Sequence, residues 1–233
     1  AVKSETLLLD TIMKYIIKRK GKQLRPMFVL LSAKLHGTIN ESTYRAAALV
    51  ELLHTATLVH DDVVDDSPQR RGFFSINALW PKKIAVLVGD YLLSKGLLLA
   101  TGSNEFRHLH ILSDAVKQMS EGELLQIQKT RKLNFSEDIY FEIIRGKTAS
   151  LLSSACAAGA YSTSNNEAIT AQMKLFGEKV GIAFQIKDDL FDYGKDNIGK
   201  PTGNDIKEKK LTLPLIYTMN TVSAKTRREL VYI

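Results

Sequence analysis

Apolar residues recur along this chain at spacings of three and four, the period that puts them on one face of an α-helix. Ala48, Leu52, Leu53, Ala56 and Val59 make one such stripe, and Ile139, Ile143, Leu151 and Leu152 make another. Runs that alternate apolar with polar residues and close on turn pairs are hard to find, so strands are not expected. The five prolines, at 26, 68, 81, 201 and 214, fall at the borders of the apolar stretches. The pattern predicts helices over 4–18, 24–36, 41–66, 82–101, 105–130, 137–162, 165–193 and 212–220, with another starting near 223. Asn40, with Thr43 close behind, reads as an N-cap, and Ser136 ahead of Glu137 and Asp138 places acids where the helix dipole favours them. Residues 67–81 and 194–211 are polar, carry Gly and Pro, and read as loops. One all-α domain over 1–233 accounts for the whole pattern.

Composition narrows the setting. Hydrophobic residues are 45% and charged residues 24% of the 233, the balance of an ordinary globular protein. No apolar run approaches the roughly 20 residues that cross a bilayer, and no signal peptide opens the chain. A single cysteine, Cys156, excludes an internal disulfide framework and fits a reducing cytoplasm. The net charge of +7 suits an anionic partner: nucleic acid, an acidic membrane surface or a phosphorylated substrate.

The strongest chemical signal is Asp61-Asp62-Val63-Val64-Asp65-Asp66 at the end of a long apolar helix. At about 100° per residue, Asp61 and Asp65 lie only about 40° apart around the axis, with Asp62 beside them. Carboxylates crowded on one face repel unless cations neutralise them, and a helix C-terminus disfavours them further. Oxygen-only ligands are the chemistry of Mg²⁺, which bridges carboxylates to substrate phosphates. The same spacing recurs as Asp188-Asp189-Leu190-Phe191-Asp192. One acidic helix end is commonly plain solvated surface; two with identical spacing on apolar helices point to a metal-bound polyphosphate.

Cations stand near these motifs. Arg70 and Arg71 follow the first acidic cluster, Lys22 and Arg25 precede an early helix, Lys147-Thr148 interrupts an apolar stretch, and Lys200 and Lys210 bracket the loop after the second cluster. Arginine forks match phosphate oxygens in pairs.

Taken in order, these elements resemble the trans-isoprenyl diphosphate synthase (polyprenyl synthetase) family across the whole chain. They are Gly21-Lys22-Gln23-Leu24-Arg25-Pro26, Glu51-Leu52-Leu53-His54, Asp61 to Asp66, Arg70-Arg71-Gly72, Gly89-Asp90-Tyr91-Leu92, Lys147-Thr148, Gln185 to Asp192, Gly199-Lys200-Pro201, and Asp205 to Pro214. The resemblance implies a bundle of antiparallel helices around a central cavity (the isoprenoid synthase type), with C-terminal helices expected beyond residue 233. It assigns Asp61, Asp62, Asp65, Asp188, Asp189 and Asp192 to Mg²⁺, with Mn²⁺ as a substitute, gripping an allylic diphosphate. Arg70, Lys147, Lys200 and Lys210 would contact that diphosphate, and Lys22, Arg25, His54 and Arg71 would bind isopentenyl diphosphate. Gln185 and Thr148 would offer oxygen dipoles to a developing carbocation. The chain departs from the family's common pattern at Lys20, Gln23 and Phe73-Phe74.

The implied reaction lengthens an allylic diphosphate by one five-carbon unit. In this family a bulky aromatic four or five residues before the first Asp stops growth early; Ala56 and Thr57 leave that level open, which favours a long-chain product over a farnesyl- or geranylgeranyl-length one. A terpene cyclase, a non-catalytic subunit and a nucleic-acid binder are the competing readings. Two complete acidic motifs argue against the first two, and the lack of a recognised motif argues against the third. The resemblance further implies a cytoplasmic homodimer with no transmembrane segment, and peripheral membrane contact for product release.

Overall fold

The computed structural model describes residues 6–18, 21–70, 73–131, 136–194, 210 and 212–231. In chain order the elements are α1 (Leu7–Lys18), α2 (Leu24–His36), α3 (Glu41–Val64), β1 (Gln69–Arg70), β2 (Phe73–Phe74), α4 (Ile76–Leu79), α5 (Lys82–Thr101) and α6 (Phe106–Arg131). Then come α7 (Glu137–Ile144), a π-helical turn (Arg145–Ala149), α8 (Ser150–Ser164), α9 (Glu167–Asp192), α10 (Leu213–Thr221) and α11 (Ala224–Val231). Among the described residues the protein is all-α apart from one small hairpin.

Local chemistry explains the borders. Asn40 Oδ1 accepts the Thr43 amide at 3.0 Å while Thr43 Oγ1 accepts the Asn40 amide at 3.3 Å, a reciprocal cap that starts α3. Ser136 Oγ accepts the Ile139 amide at 3.3 Å and starts α7. The third helix stops at Val64, two residues short of the expected end, because Asp66 turns left-handed at φ 50°. Two expectations are corrected. The helix expected over 137–162 is α7, a π turn and α8, since a single inserted residue leaves apolar spacing almost unchanged. The loop expected over 67–81 holds β1 and β2, paired antiparallel with Gln69 opposite Phe74, and the short α4. Two-residue strands are too short for alternation to register; Ser75 closes the loop by donating from Oγ to the Ser67 carbonyl at 2.6 Å. The loop expected at 194–211 lies outside the described residues except for its ends.

The chain groups into two compact units. One comprises Ala1–Ser113 and Ala155–Met173, the other Asp114–Ser154 and Lys174–Ile233. In the first, Ile12 and Met13 of α1, Ala56 and Val59 of α3, and Val88 and Leu92 of α5 belong to one buried cluster. Helix α5 comes close to α3 at Gly89, where a methyl group would overlap the His60 ring, and at Gly96, against Leu49. Gly159 of α8 meets the backbone of Val29 on α2 in the same way. Buried Cys156 lies beside Ser32; burial pushes its thiol pKa up and the Ser32 hydrogen bond pulls it back. By length and mean hydropathy (1.6), α5 alone among the described helices passes for a membrane span, which the sequence reading did not expect. A third of that stretch is buried, and exposed Asp90 interrupts it. In the second unit, Tyr140, Ile143 and Ile144 of α7 and Ile216 of α10 form the core, with Ile182 and Ile186 of α9 against them.

Gly159→Ala forces α8 off α2 and is expected to cost about 1–3 kcal/mol. Chemical denaturation measures it; a cost below about 0.5 kcal/mol contradicts the contact.

Candidate active site

Helix α3 carries its acids on the last turn. Thr57, Asp61 and Asp65 follow one another at four-residue intervals, so they share a face. Asp61 and Asp65 are exposed, whereas Asp62 is buried at 4%. The chain after Asp62 is tied back to it, since its carbonyl accepts the Ser67 amide and Asn77 Nδ2, both at 3.0 Å. Asp66 pairs with Lys82 at 2.9 Å.

On the same unit an open cavity of about 550 Å³ runs alongside α3. Its walls include Leu52, Thr55, Leu58 and Val59 from α3, Ile16 from α1 and Leu92 from α5, and Gly21, His54 and Asp62 also line it. Arg25 Nη1 donates to His54 Nε2 at 2.9 Å, which brings together two residues separated by 29 positions. A guanidinium has only donors, so Nε2 must be the acceptor and the His54 proton sits on Nδ1. Lys22 is exposed next to Gly21. Tyr15 Oη donates to the Phe74 carbonyl at 2.6 Å and holds the hairpin against α1.

The second acidic motif, at the end of α9, is built alike. Asp189 is buried at 4%, while Asp188 and Asp192 are half-buried one turn apart. Asp189 Oδ2 accepts from Tyr140 Oη at 2.7 Å, and Oδ1 accepts from Gln185 Nε2 at 2.6 Å. Gln185 Oε1 in turn accepts from Thr148 Oγ1 at 2.8 Å. Close backbone approach sets these distances: a Cβ on Gly181 would come within 2.6 Å of Ala149 Cα, and one on Gly146 within 3.3 Å of Gly122 Cα. The π turn carries Lys147 and Thr148, and such turns are frequent at functional sites. Lys147 Nζ pairs with Glu123 at 2.5 Å and reaches Gln126 Oε1 at 3.4 Å.

The remaining expected residues are placed as follows. Arg70 lies in β1 and Lys210 is half-buried ahead of α10, while Arg71 and Lys200 fall outside the described residues. Ala56 is fully buried in the α1–α3–α5 core and Thr57 is half-buried with its hydroxyl turned to the His54 carbonyl at 2.9 Å; neither is among the residues that line the cavity. Tyr140, Glu123 and Gln126 were missed by sequence reasoning. A tyrosine on an apolar helix face reads as core, and Glu123 reads as surface. Among the described residues no three His, Cys, Asp or Glu gather into a preformed metal cage.

Two of the three acids of the α9 motif differ in a measurable way. Asp189→Asn leaves buried donors mismatched and is expected to destabilise by about 1–3 kcal/mol. Asp188→Asn is expected to change stability by less than about 0.5 kcal/mol. Equal losses in thermal or urea melts contradict the buried network.

The chain matches the polyprenyl synthetase family over residues 6–233. It is 38% identical to an all-trans-nonaprenyl-diphosphate synthase (geranyl-diphosphate specific) of Rhodobacter capsulatus, over 97% of this chain and 70% of that protein. It is 35% identical to a short chain isoprenyl diphosphate synthase of Methanothermobacter thermautotrophicus, over 98% of this chain and 72% of that protein. The crystal structure of a decaprenyl diphosphate synthase from Rhodobacter capsulatus superposes with a TM-score of 0.92 at 42% identity, covering 98% of this chain and 71% of that one. Family match, fold and acidic motifs agree, and the chain belongs to the polyprenyl synthetase family.

Proposed function

We propose that this polyprenyl synthetase condenses isopentenyl diphosphate with an allylic diphosphate and makes a long all-trans polyprenyl diphosphate. The observation that carries the reading is the shared construction of the two acidic helix ends, a buried middle Asp flanked by two less buried acids one turn apart. Asp61 and Asp65, and likewise Asp188 and Asp192, present hard oxygens in pairs beside the buried Asp62 and Asp189. That donor set fits Mg²⁺, or Mn²⁺ in its stead, because Mg²⁺ keeps several waters and takes one or two carboxylates together with phosphate oxygens. When bound, the ion neutralises the diphosphate and makes it a better leaving group.

The chain's own residues do the rest. Lys22, Arg25 and His54, with Arg71, bind the diphosphate of isopentenyl diphosphate, and the Arg25–His54 contact supports that grouping. Arg70, Lys147, Lys200 and Lys210 bind the allylic diphosphate. The allylic C–O bond breaks with its electron pair leaving on diphosphate, the isopentenyl double bond forms the new C–C bond, and a proton is lost. The Thr148 and Gln185 oxygens stabilise the cation as it forms. Holding the two substrates side by side supplies high effective concentration.

Thr57, one turn below Asp61 on the acid face, and its neighbour Ala56 control length. The small side chain at 57 leaves room for a long tail, whose release calls for peripheral contact with a membrane. A buried, unpaired Cys156 fits work in the cytoplasm. Val86, Leu87, Leu97 and Leu98 leave an apolar face of α5 exposed, and we propose that a second copy of the chain covers it in a homodimer.

Incubation with Mg²⁺, farnesyl diphosphate and labelled isopentenyl diphosphate is expected to give products longer than twenty carbons. Failure to extend the primer rejects the activity; a stop at fifteen or twenty carbons rejects only the length. Thr57→Phe is expected to shorten the product, and unchanged lengths would remove Thr57 from the length control. Light scattering after gel filtration is expected to report a dimer that Leu87→Glu with Leu98→Glu splits; a monomeric parent protein defeats the dimer.

A further inference from the structure

No sequence motif marks Tyr140, yet it ends a chain of hydrogen bonds that reaches two residues assigned to the reacting cation. We propose that Tyr140 is a positioning residue that fixes, through Asp189, which end of the Gln185 amide faces Thr148. This inference rests on the reading of Gln185 and Thr148 given above and deepens it.

Tyr140 is 1% exposed, its ring packed in the core with Ile143, Ile144 and Ile216 and set edge-on to Phe141 at 5.4 Å. Only its hydroxyl has polar business there, and it donates to Asp189 Oδ2 at 2.7 Å. An ionised carboxylate accepts and never donates. Gln185 must therefore turn its NH₂ to Asp189 Oδ1, at 2.6 Å, and its carbonyl oxygen the other way. Thr148 meets that oxygen at 2.8 Å and must spend its one hydroxyl proton on it. The result is two adjacent oxygens, Gln185 Oε1 and Thr148 Oγ1, whose remaining capacity is acceptor only. Such a pair stabilises positive charge. With the amide reversed, an NH₂ would stand where Oε1 stands, and its dipole would oppose a cation.

The tyrosine hydroxyl makes this arrangement stiff. It fills one side of a buried carboxylate, so that Asp189 keeps its other oxygen on Gln185 instead of rotating to satisfy both. The π turn puts Thr148 at the far end of the same relay, and Gly181 sets the height of α9 against it.

Tyr140→Phe removes the hydroxyl and leaves the packed ring. The expected result is a folded protein whose kcat falls about ten- to a hundredfold while KM for both diphosphates moves less than about twofold. In a Gln185→Leu background the same substitution is expected to cost less than about twofold, because the amide it positions is gone. An unchanged kcat, equal losses in both backgrounds, or a loss matched by inactive protein in an active-site titration overturns the proposal. Should Tyr140→Phe fail to fold, Asp189→Asn breaks the relay one link closer and must give the same split of kcat from KM. If the parent enzyme makes no product, the functional reading fails on its own. Crystal structures of the parent and Tyr140→Phe then decide the positioning: a displaced or reversed Gln185 amide supports it, and an unmoved one overturns it.

Discussion

Negative charge at the wrong end of a helix is the constraint around which this protein is organised. The C-terminal end of a helix carries exposed carbonyls and a partial negative charge, so acids there are disfavoured by the helix as well as by one another. Helices α3 and α9 both end this way. Each relieves part of the strain internally. Asp66 takes Lys82, and Asp189 takes Tyr140 and Gln185. Asp61 with Asp65 and Asp188 with Asp192 still set like charges one turn apart, the arrangement on which the proposed metal-bound diphosphate rests.

Positioning is achieved mainly by close backbone contact. Gly89 and Gly96 let α5 sit on α3, and Gly122, Gly146 and Gly181 bring α6, the π turn and α9 within reach of one another in the second unit. None of these glycines needs an unusual backbone angle. They are there because a methyl group would hold the partners apart, and with them Thr148 from Gln185 or His60 from the α5 backbone.

Much of this was legible from the residues. Asn40 and Thr43 announced the start of α3, Ser136 the start of α7, and the periodic apolar stripes gave α2 and α5 their full extents. The acidic motifs followed from spacing, and the grouping of Arg25 with His54 from the family resemblance alone. What could not be read were differences among like residues. Asp61 and Asp62 are the same side chain, and only packing makes one exposed and the other buried. Ala56 and Thr57 are neighbours, but a shift of about 100° sends the first into the core. Tyr140 and Asp189 lie 49 positions apart, so no local pattern joins them.

The widened turn at Arg145–Ala149 has a consequence for how the chain can evolve. A turn of this kind holds one residue more than the regular spiral, so a one-codon deletion there would restore an unbroken α-helix. It would also rotate everything upstream by about 100° against everything downstream. Tyr140 stands before the widened turn and Thr148 inside it, yet both serve one hydrogen-bonded relay, and such a rotation would part them. The extra residue is thereby locked in, since shortening the segment would cut the relay in two.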